Sequence, residues 1–594
     1  MPRHLTSDLT LEGLRKEAKR WLKALRAGDA NARARLERAV PSNAPAAPTL
    51  RDLQFALARE FELPGWTTLK QMVIERASVA PALPAAIVSR FLDNACPDHH
   101  VRGGSDHVRA QHAAMRLLER YPGIVRANFY TAVVCGDIDA VERALAADPG
   151  LATRVNGDPD SPRTGSGGEG DLVKQDWGDK GWDALSYLCF TRLPLPSVAG
   201  HAVAIAGALL DHGANPNTSF AAGGSGYTPL VGVIGEGEEG RPAHPRRDEL
   251  VSLLLERGAN PYDMQVVYNI HFNGRVLWFL EKIYEHTSRL GRQADWSDPE
   301  WKMLNMGGYG SGARWHLDVA VEHNDLDLAE WCLAHGANPN AAPGPQRRDR
   351  QRTLYDEAIV RGHTELAELL VRHGAVRSTL VHNPMSVLIA ACRVSDTQAI
   401  RDEVGRHPEF LQSSEPLFAA ARYNRRAAAE LLIDLGTPVN IESPEGERAL
   451  HIAAYHDSVD VAELLIARGA DVDAVGRQYD NTALGGAMHC RSGRVIDLLC
   501  RFSRSTWEVG CSGKVDRVRE LLSEKPERAR VTGDGETLLM WLPPHDEAAA
   551  LEIARLLLDN GADPTVRDPR GLTAADRAER NAMFEVAALL RAHE

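Results

Sequence analysis

A short segment in the first quarter of the chain concentrates side chains that bind metals or transfer protons. It begins with a cysteine and an Asp-His-His triplet, and a Gly-rich stretch then leads to a further Asp and two further His. The residues with this chemistry are Cys96, Asp98, His99, His100, Asp106, His107 and His112. Neutral imidazole, thiolate and carboxylate groups are ligands of zinc and similar divalent ions, and a Gly-rich loop could fold them together.

The spacing of these residues does not match a closed zinc motif. His107 and His112 are five positions apart, so a helix would place them on different faces. An ordinary polar loop in which Asp106 caps the next helix is the better explanation of the same residues. We therefore predict no resident metal. The weak metal candidates that remain are Asp98, His99, His100 and His107.

An enzyme is the alternative function that these residues leave open. A small-molecule or metal-dependent site would form if Asp98, His99 and His100 shared one concave pocket with Glu236 or His271. No Ser-His-Asp order, His-Glu-x-x-His helix or other nucleophile signature is visible in the sequence. We predict no catalytic residue and no cofactor, and regard an enzyme as the weaker of the two hypotheses.

Three glycine-rich stretches have glycine patterns similar to those of phosphate-binding loops but lack other features of such loops. Residues 165–170 and 235–240 both satisfy Gly-x-Gly-x-x-Gly, but neither lies in a strand-helix-strand unit. Three glutamates in the second stretch would also repel a pyrophosphate. Residues 510–515 lack the length and the Ser or Thr of a phosphate loop. The sequence therefore indicates no nucleotide site.

Aromatic residues are dense between positions 262 and 315, well above the 6% aromatic content of the whole chain. Tyr and Trp bury a large area with few rotatable bonds, so they are favoured where binding energy is concentrated. We expect at least one exposed binding patch here, although Trp278 and Trp315 could instead fill an irregular joint. The predicted binding residues are Tyr227, Tyr268, His271, Trp301 and Tyr309.

The elements that must position these residues repeat along the chain. In residues 446–474 the apolar positions predict two short helices, with Leu450 on the first and Val461 and Leu465 on the second. Gly469 then supplies a residue that tolerates positive φ at the end of a helix. Two short helices cannot bury their own apolar face, so each pair must stack on its neighbours.

This segment resembles the ankyrin repeat, through its Ala-Leu-His-Ile-Ala-Ala start, its Leu-Leu helix and its Gly-Ala-Asp exit. The same exit recurs at Gly213, Gly258, Gly336, Gly374, Gly469 and Gly561, with a variant at Gly436. The resemblance covers residues 128–594 and implies an all-α ankyrin-repeat solenoid of helix-turn-helix repeats with loop fingers. It also implies an interaction scaffold that binds another, unidentified protein through its concave face.

The spacing of the exits indicates where the array is regular. Gly436 and Gly469 are 33 residues apart, which is one repeat. The interval from Gly374 to Gly436 predicts two repeats with an exit near His407, and the interval from Gly469 to Gly561 predicts three. Earlier intervals are too long, and their excess predicts insertions at residues 235–245 and 291–312.

The first 76 residues predict a separate helical module, which resembles the one that precedes ankyrin arrays in many bacterial proteins. The likeness rests on Leu14-Arg15-Lys16, on residues 50–54 and on Trp66 with Leu69. The predicted domains are an N-terminal helical module at 1–78, a helical cap at 79–127, divergent repeats with insertions at 128–345, and more regular repeats with a terminal cap at 346–594.

Composition narrows the class of partner and the compartment. The net charge of -13 argues against general binding of nucleic acid. Residues 1–76 hold 14 Lys and Arg against 9 Asp and Glu, so this basic head could instead dock on an acidic partner or an anionic surface. Eight scattered cysteines and the lack of a long apolar run predict a cytoplasmic protein without a membrane span.

Overall fold

Helices make up nearly all of the regular structure in the computed structural model of this chain. The described residues are 11–40, 44–61, 63, 65–66, 68–70, 83–97, 107–156, 181–222, 225–236, 241–272, 274–345, 352–377, 383–533 and 535–594.

The N-terminal module contains three helices around a small apolar core. They are α1 (Leu11–Arg26), α2 (Ala30–Ala39) and α3 (Leu50–Glu60). The indole N–H of Trp21 donates to the carbonyl of Ala32 at 3.0 Å. Arg35 bridges the other two helices, at 2.5 Å from Glu17 and 2.7 Å from Glu60. The further helix predicted after Trp66 lies largely outside the described residues.

Two helices follow these three. They are α4 (Ala85–Ala95) and α5 (His107–Arg120), and they pack against each other. Helix α4 also packs on the first helix of the array that begins at Phe129. The two helices therefore cover the face that this first helix would otherwise expose.

Thirteen helix pairs occupy the described part of residues 129–591. The first helices of these pairs are α6 (Phe129–Cys135), α8 (Ala184–Phe190), α10 (Pro229–Ile234), α12 (Met264–Phe272), α14 (Gly312–His323), α16 (Leu354–Val360), α18 (Pro384–Val394), α20 (Glu415–Arg422), α22 (Ala449–Tyr455), α24 (Ala483–Cys490), α26 (Thr506–Cys511), the 3-10 turn Leu538–Met540, and α29 (Ala574–Arg580).

The second helices complete the pairs in the same order. They are α7 (Ile138–Ala147), α9 (Pro196–Asp211), α11 (Arg247–Glu256), α13 (Val276–Arg289), α15 (Leu326–Ala334), α17 (Thr364–Arg372), α19 (Thr397–Arg406), α21 (Arg426–Leu435), α23 (Val459–Ala467), α25 (Gly493–Leu499), α27 (Val515–Glu524), α28 (Glu547–Asp559) and α30 (Phe584–Arg591).

First helices pack on first helices and second helices on second helices, so the array has two layers. Small residues permit the close approach of the first layer: Ala453 and Ala454 on α22 are fully buried. Leu465 on α23 is also fully buried, and burying a leucine side chain contributes about 1.5 to 3 kcal/mol. Successive pairs thus share one continuous core, as expected for a solenoid.

Two kinds of exit end most of the second helices. The glycine exits predicted from the sequence have φ between 84° and 118°, in the left-handed region that residues with a Cβ avoid. The other exits place a proline at the start of a 3-10 turn, at Pro149–Ala152, Pro408–Gln412 and Pro526–Arg530. The exit predicted near His407 is of this second kind, and three helix pairs lie between Gly469 and Gly561, the number that the spacing predicts.

Asparagine side chains tie consecutive exits together. The side-chain amide of Asn340 donates to the carbonyl of Gly374 at 2.9 Å, and its oxygen accepts from the N–H of Val376 at 2.9 Å. Asn217 makes the same pair of bonds to Gly258 and Asn260 three repeat boundaries earlier. Each such asparagine satisfies backbone groups that the end of a helix leaves unpaired.

The loop fingers include three short antiparallel hairpins. The strands are β1 (Phe220–Ala222) with β2 (Ser225–Tyr227), β3 (Val475–Gly476) with β4 (Asn481–Thr482), and β5 (Thr532–Gly533) with β6 (Glu536–Thr537). The insertion at 291–312 is not an extended finger. It folds into three 3-10 turns at Gln293–Ser297, Lys302–Leu304 and Gly307–Tyr309.

The last helix pair contacts the helices that precede the array. Arg116 on α5 donates to the carbonyls of Pro544 at 2.6 Å and of Asn581 at 3.2 Å. The guanidinium of Arg120 lies 6.0 Å from the centre of the Phe584 ring. The two ends of the array therefore meet through polar and aromatic contacts.

Candidate binding surface

Four aromatic side chains and one histidine form an aromatic patch on the first-helix layer. Tyr268, His271 and Phe272 come from the last turns of α12, Tyr309 comes from the insertion, and Trp315 comes from α14. The ring of Trp315 stacks on Tyr268 at 5.9 Å and on His271 at 4.8 Å, and Tyr309 meets its face edge-on at 5.0 Å. The structure thus brings together three of the five predicted binding residues around Trp315.

The patch is partly open to solvent. Phe272 is 42% exposed, and Tyr268, His271 and Tyr309 are half-buried. Trp315 is only 2% exposed and is the buried base of the patch. It therefore fills the joint between repeats, as the alternative interpretation of the sequence proposed, and also supports the exposed rings. A rigid buried base with exposed aromatic edges is an arrangement found where proteins bind one another.

Glycines hold the Tyr309 turn against the loop that follows α15. A Cβ on Gly344 would collide with the backbone of Gly308 and Tyr309, and one on Gly312 would collide with the backbone of Leu304. Gly310 has a φ of 106° and pairs with Pro343 in an isolated antiparallel bridge. The position of Tyr309 therefore depends on close backbone contacts that only glycine permits.

Trp301, a predicted binding residue, is fully buried and cannot reach a partner in this structure. Its ring lies 5.3 Å from Trp296 and 6.2 Å from Trp331, in a second aromatic group between α13 and α15. Its indole N–H donates to the carbonyl of His335 at 3.3 Å. The backbone of Trp301 has a φ of 45°, which is unusual for a residue with a large side chain.

Tyr227, also predicted to bind, is 6% exposed and belongs to the core. Its ring stacks on Phe220 at 5.7 Å, and Phe220 in turn stacks on Trp182 at 4.1 Å. The side-chain amide of Gln265 donates to its hydroxyl at 3.3 Å. Burial of its aromatic ring among other rings places this tyrosine in the core. Spacing in the sequence alone could not distinguish such a buried tyrosine from an exposed one.

The histidine-rich segment near residue 100 is described only at its two edges. Cys96 is buried, and its thiol contacts the carbonyl of Tyr187 at 3.4 Å. His107 is buried at the start of α5, where its Nδ1 accepts from Nε of Arg241 at 3.3 Å. The candidates Asp98, His99, His100 and Asp106 lie outside the described residues.

Arg241 joins this segment to the insertion at residues 235–245. It is 1% exposed and forms an ion pair with Glu236 at 2.8 Å. It also donates to the carbonyl of Pro97, and its guanidinium lies 5.0 Å from the centre of the Phe190 ring. Glu236, which the enzyme hypothesis assigned to a site, is thus the counter-ion of a buried arginine that the sequence analysis did not single out.

Several buried histidines are neutral because burial disfavours their charged form. Burial lowers the pKa of His244 to about 3 and the pKa of His316 to about 3, and nearby His271 lowers the latter further. A group with such a pKa stays uncharged at neutral pH. Among the described residues, no three His, Cys, Asp or Glu side chains lie close enough to hold a metal ion.

The arrangement defines a class of protein: an all-α solenoid of stacked helix pairs. Comparison with known proteins identifies the family of the repeats. The ankyrin repeats family profile matches three copies at residues 402–476, so the chain contains ankyrin repeats. Together with the helix pairs, this shows an ankyrin-repeat solenoid, a fold that generally serves in protein interaction.

Individual relatives are similar over part of their length. The chain is 27% identical over 223 residues to ankyrin repeat and SAM domain-containing protein 6 of Danio rerio, covering 35% of this chain and 29% of that protein. It is 30% identical over 138 residues to ankyrin repeat and SOCS box protein 11 of Pongo abelii, covering 22% of this chain and 42% of that protein. The chain spans less than half the length of these curated relatives.

A solved structure gives a weaker likeness. An ankyrin repeat domain from Acinetobacter baumannii is 22% identical, with 35% of this chain and 96% of that chain covered and a TM-score of 0.23. In the described part of the chain, no helix is long and apolar enough to cross a membrane.

Proposed function

We propose that this protein is an interaction scaffold that binds another protein through the first-helix layer and its finger loops, with the aromatic patch at the centre of the contact. One observation carries the proposal. Phe272 presents 42% of its surface to solvent beside half-buried Tyr268 and Tyr309, on a base fixed by Trp315. Preformed aromatic edges bind with little loss of conformational entropy.

The cysteines support a reducing compartment such as the cytoplasm for this scaffold. All eight are free, and six of them are buried. Burial raises the pKa of the Cys135 and Cys392 thiols to about 12, so these thiols are inert packing groups at neutral pH. This agrees with a protein whose activity lies in its surface.

A capture experiment with matched variants tests the proposed function. The full chain is immobilised, partners are captured from the source cells, and the captured proteins are quantified by mass spectrometry. Phe272→Ala combined with Tyr309→Ala should reduce capture of a specific partner by about thirtyfold, since truncation of central aromatic contacts costs about 2 kcal/mol or more.

Phe502→Ala is the matched control, because Phe502 is also an exposed aromatic residue, at 48%, but lies far along the array near the end of α25. Capture should be unchanged in this variant. Equal capture by the patch variant and the control would show that the aromatic patch is not the binding surface.

A further inference from the structure

Four arginines gather where three successive first helices end. Arg361 follows α16, Arg393 lies in the last turn of α18, Arg422 ends α20, and Arg425 precedes α21. We call these four residues the arginine edge. They come from three consecutive repeats, so the stacking of the array places them side by side.

Contacts within the protein hold the arginine edge in place. Arg393 donates to the carbonyl of Val360 at 2.9 Å, and Arg425 donates from Nε to the carbonyl of Arg393 at 2.6 Å. Arg361 donates to the hydroxyl of Tyr423 at 3.2 Å, and the guanidinium of Arg393 lies 5.7 Å from the centre of the same ring. A guanidinium has five N–H donors, so these bonds use only part of the donor capacity of each arginine.

Carboxylates do not balance the arginine edge. In the part of the chain that the structure describes, no carboxylate oxygen lies within 4.0 Å of a guanidinium nitrogen of Arg393, Arg422 or Arg425. Glu357 is shared between Arg361 at 3.6 Å and Arg352 at 3.9 Å. The carboxylate of Asp460, one repeat further on, accepts from Asn424 at 2.7 Å.

Two histidines beside the arginine edge report its positive potential. Burial, together with a smaller effect of Arg422, lowers the pKa of His456 to about 4. Burial also lowers the pKa of His363, with further contributions from Arg361, Arg393 and Arg425. A nearby carboxylate would raise these pKa values, so both histidines lie in a locally positive field.

Helix ends explain part of this arrangement but not all of it. A cation is favoured at the C-terminal end of a helix because the helix dipole is negative there, which accounts for one arginine at each helix. It does not account for Arg393, Arg422 and Arg425, none of which has a carboxylate within 4.0 Å in the described residues, in a chain whose net charge is -13. Like charges held this close cost free energy, which a bound anion would relieve.

We propose that the arginine edge binds an acidic segment of a partner protein, whose Asp and Glu side chains pair with Arg393, Arg422 and Arg425. The inference rests on the proposed function, since it adds the chemistry of the partner. Carboxylates suit paired guanidinium donors. Nucleic acid is the less suitable occupant, because the basic surface is confined to three repeats of an acidic chain and a phosphate backbone needs a longer basic track.

Direct titration tests this inference with the full chain and a fluorescein-labelled oligoglutamate peptide, followed by fluorescence anisotropy. The wild type should bind the peptide, and binding should weaken with added salt. Arg422→Glu combined with Arg425→Glu should weaken binding by at least about tenfold. The matched control, Arg501→Glu with Arg555→Glu, changes the net charge equally at two exposed arginines elsewhere and should change binding less than about twofold.

Each other outcome overturns the inference. If the wild type does not bind oligoglutamate, or if both double variants lose binding equally, the arginine edge is not an acidic-segment site. Stronger competition by oligothymidylate than by unlabelled oligoglutamate would assign the surface to nucleic acid instead. Partner capture separates this inference from the proposed function. If the Phe272→Ala Tyr309→Ala variant loses capture and the Arg422→Glu Arg425→Glu variant retains it, the proposed scaffold function stands and the acidic-segment site is wrong.

Discussion

The guanidinium of Arg116 and the backbone carbonyl of Asn581 are 465 positions apart in the chain and 3.2 Å apart in the structure. The same nitrogen of Arg116 also donates to the carbonyl of Pro544 at 2.6 Å, and Arg90 on α4 donates to the carbonyl of Glu579. Terminal repeats of a solenoid normally contact one neighbour only. Here the last pair has a second neighbour, so its stability depends on the helices before the array.

Arg116→Ala should loosen the last helix pair without unfolding the centre of the array. The substitution removes the hydrogen bond to Asn581 in the last pair. It also removes the hydrogen bond to Pro544 and the 3.9 Å contact with Glu547 in the pair before it, and the three contacts together contribute about 1 to 3 kcal/mol. Amide hydrogen exchange in α30 should therefore be faster, while exchange in α22 is unchanged. Arg555→Ala, at an exposed position on α28, is the control. Unchanged exchange in α30 would mean that the contact between the ends contributes nothing.

Glu236→Gln should destabilise the early repeats strongly, because it leaves the buried charge of Arg241 without its counter-ion. Removing one partner of a buried ion pair costs about 3 to 5 kcal/mol. Glu249→Gln is the matched control, since Glu249 pairs with Arg246 at 2.9 Å but is half exposed, and water screens such pairs so that they contribute little to stability. The measurement is the urea midpoint of the first unfolding transition, because long arrays need not unfold in one step.

Sequence periodicity predicted the regular half of the molecule well, because each signal for the repeat lies within about thirty residues. Leu465 and Gly469 show this: one is fully buried on the second helix and the other has a φ of 87° at its end. The proline exit at Pro408–Gln412 was also found, since the repeat length demands a boundary there.

Contacts between distant segments could not be predicted in the same way. Arg241 meets His107 across 134 positions, and nothing near either residue in the sequence indicates the other. Trp301 has the residue type of a binding site, but the insertion folds back and buries its ring against Trp331. Burial depends on such long-range packing. The aromatic composition therefore indicated the region in which aromatic rings cluster, but not which of the rings reach the surface.

His316→Leu should make the array less sensitive to acid. The pKa of His316 is lowered to about 3 by burial, whereas an exposed histidine has a pKa of about 6.5. The unfolded chain therefore takes up a proton that the folded chain excludes, and stability is lost as the pH falls from 6.5 towards 3. Leucine has no proton to bind. Between about pH 6.5 and pH 4.5 the variant should lose about 2 to 3 kcal/mol less stability than the wild type.

The control for this pH dependence is His373→Leu, because His373 is exposed at the end of α17. Its unfolding midpoint should follow pH as the wild type does. Urea unfolding of the three proteins at several pH values gives the comparison. Parallel loss of stability in wild type and His316→Leu would show that another group is responsible for any acid sensitivity.

Gly232→Ala and Gly207→Ala should change stability in opposite directions, although both glycines lie in helices of neighbouring repeats. A Cβ on Gly232 in α10 would collide with the ring of Phe190 and lie 3.0 Å from the carbonyl carbon of Cys189 in α8. Overpacking of this kind costs about 1 to 3 kcal/mol. A Cβ on Gly207 in α9 meets no atom within 4 Å, so alanine there should stabilise its helix by about 0.5 to 1 kcal/mol. The measurement is the thermal unfolding midpoint of the full chain with each substitution. A shift of the same sign in both variants would mean that the close approach of α8 and α10 does not limit the size of residue 232.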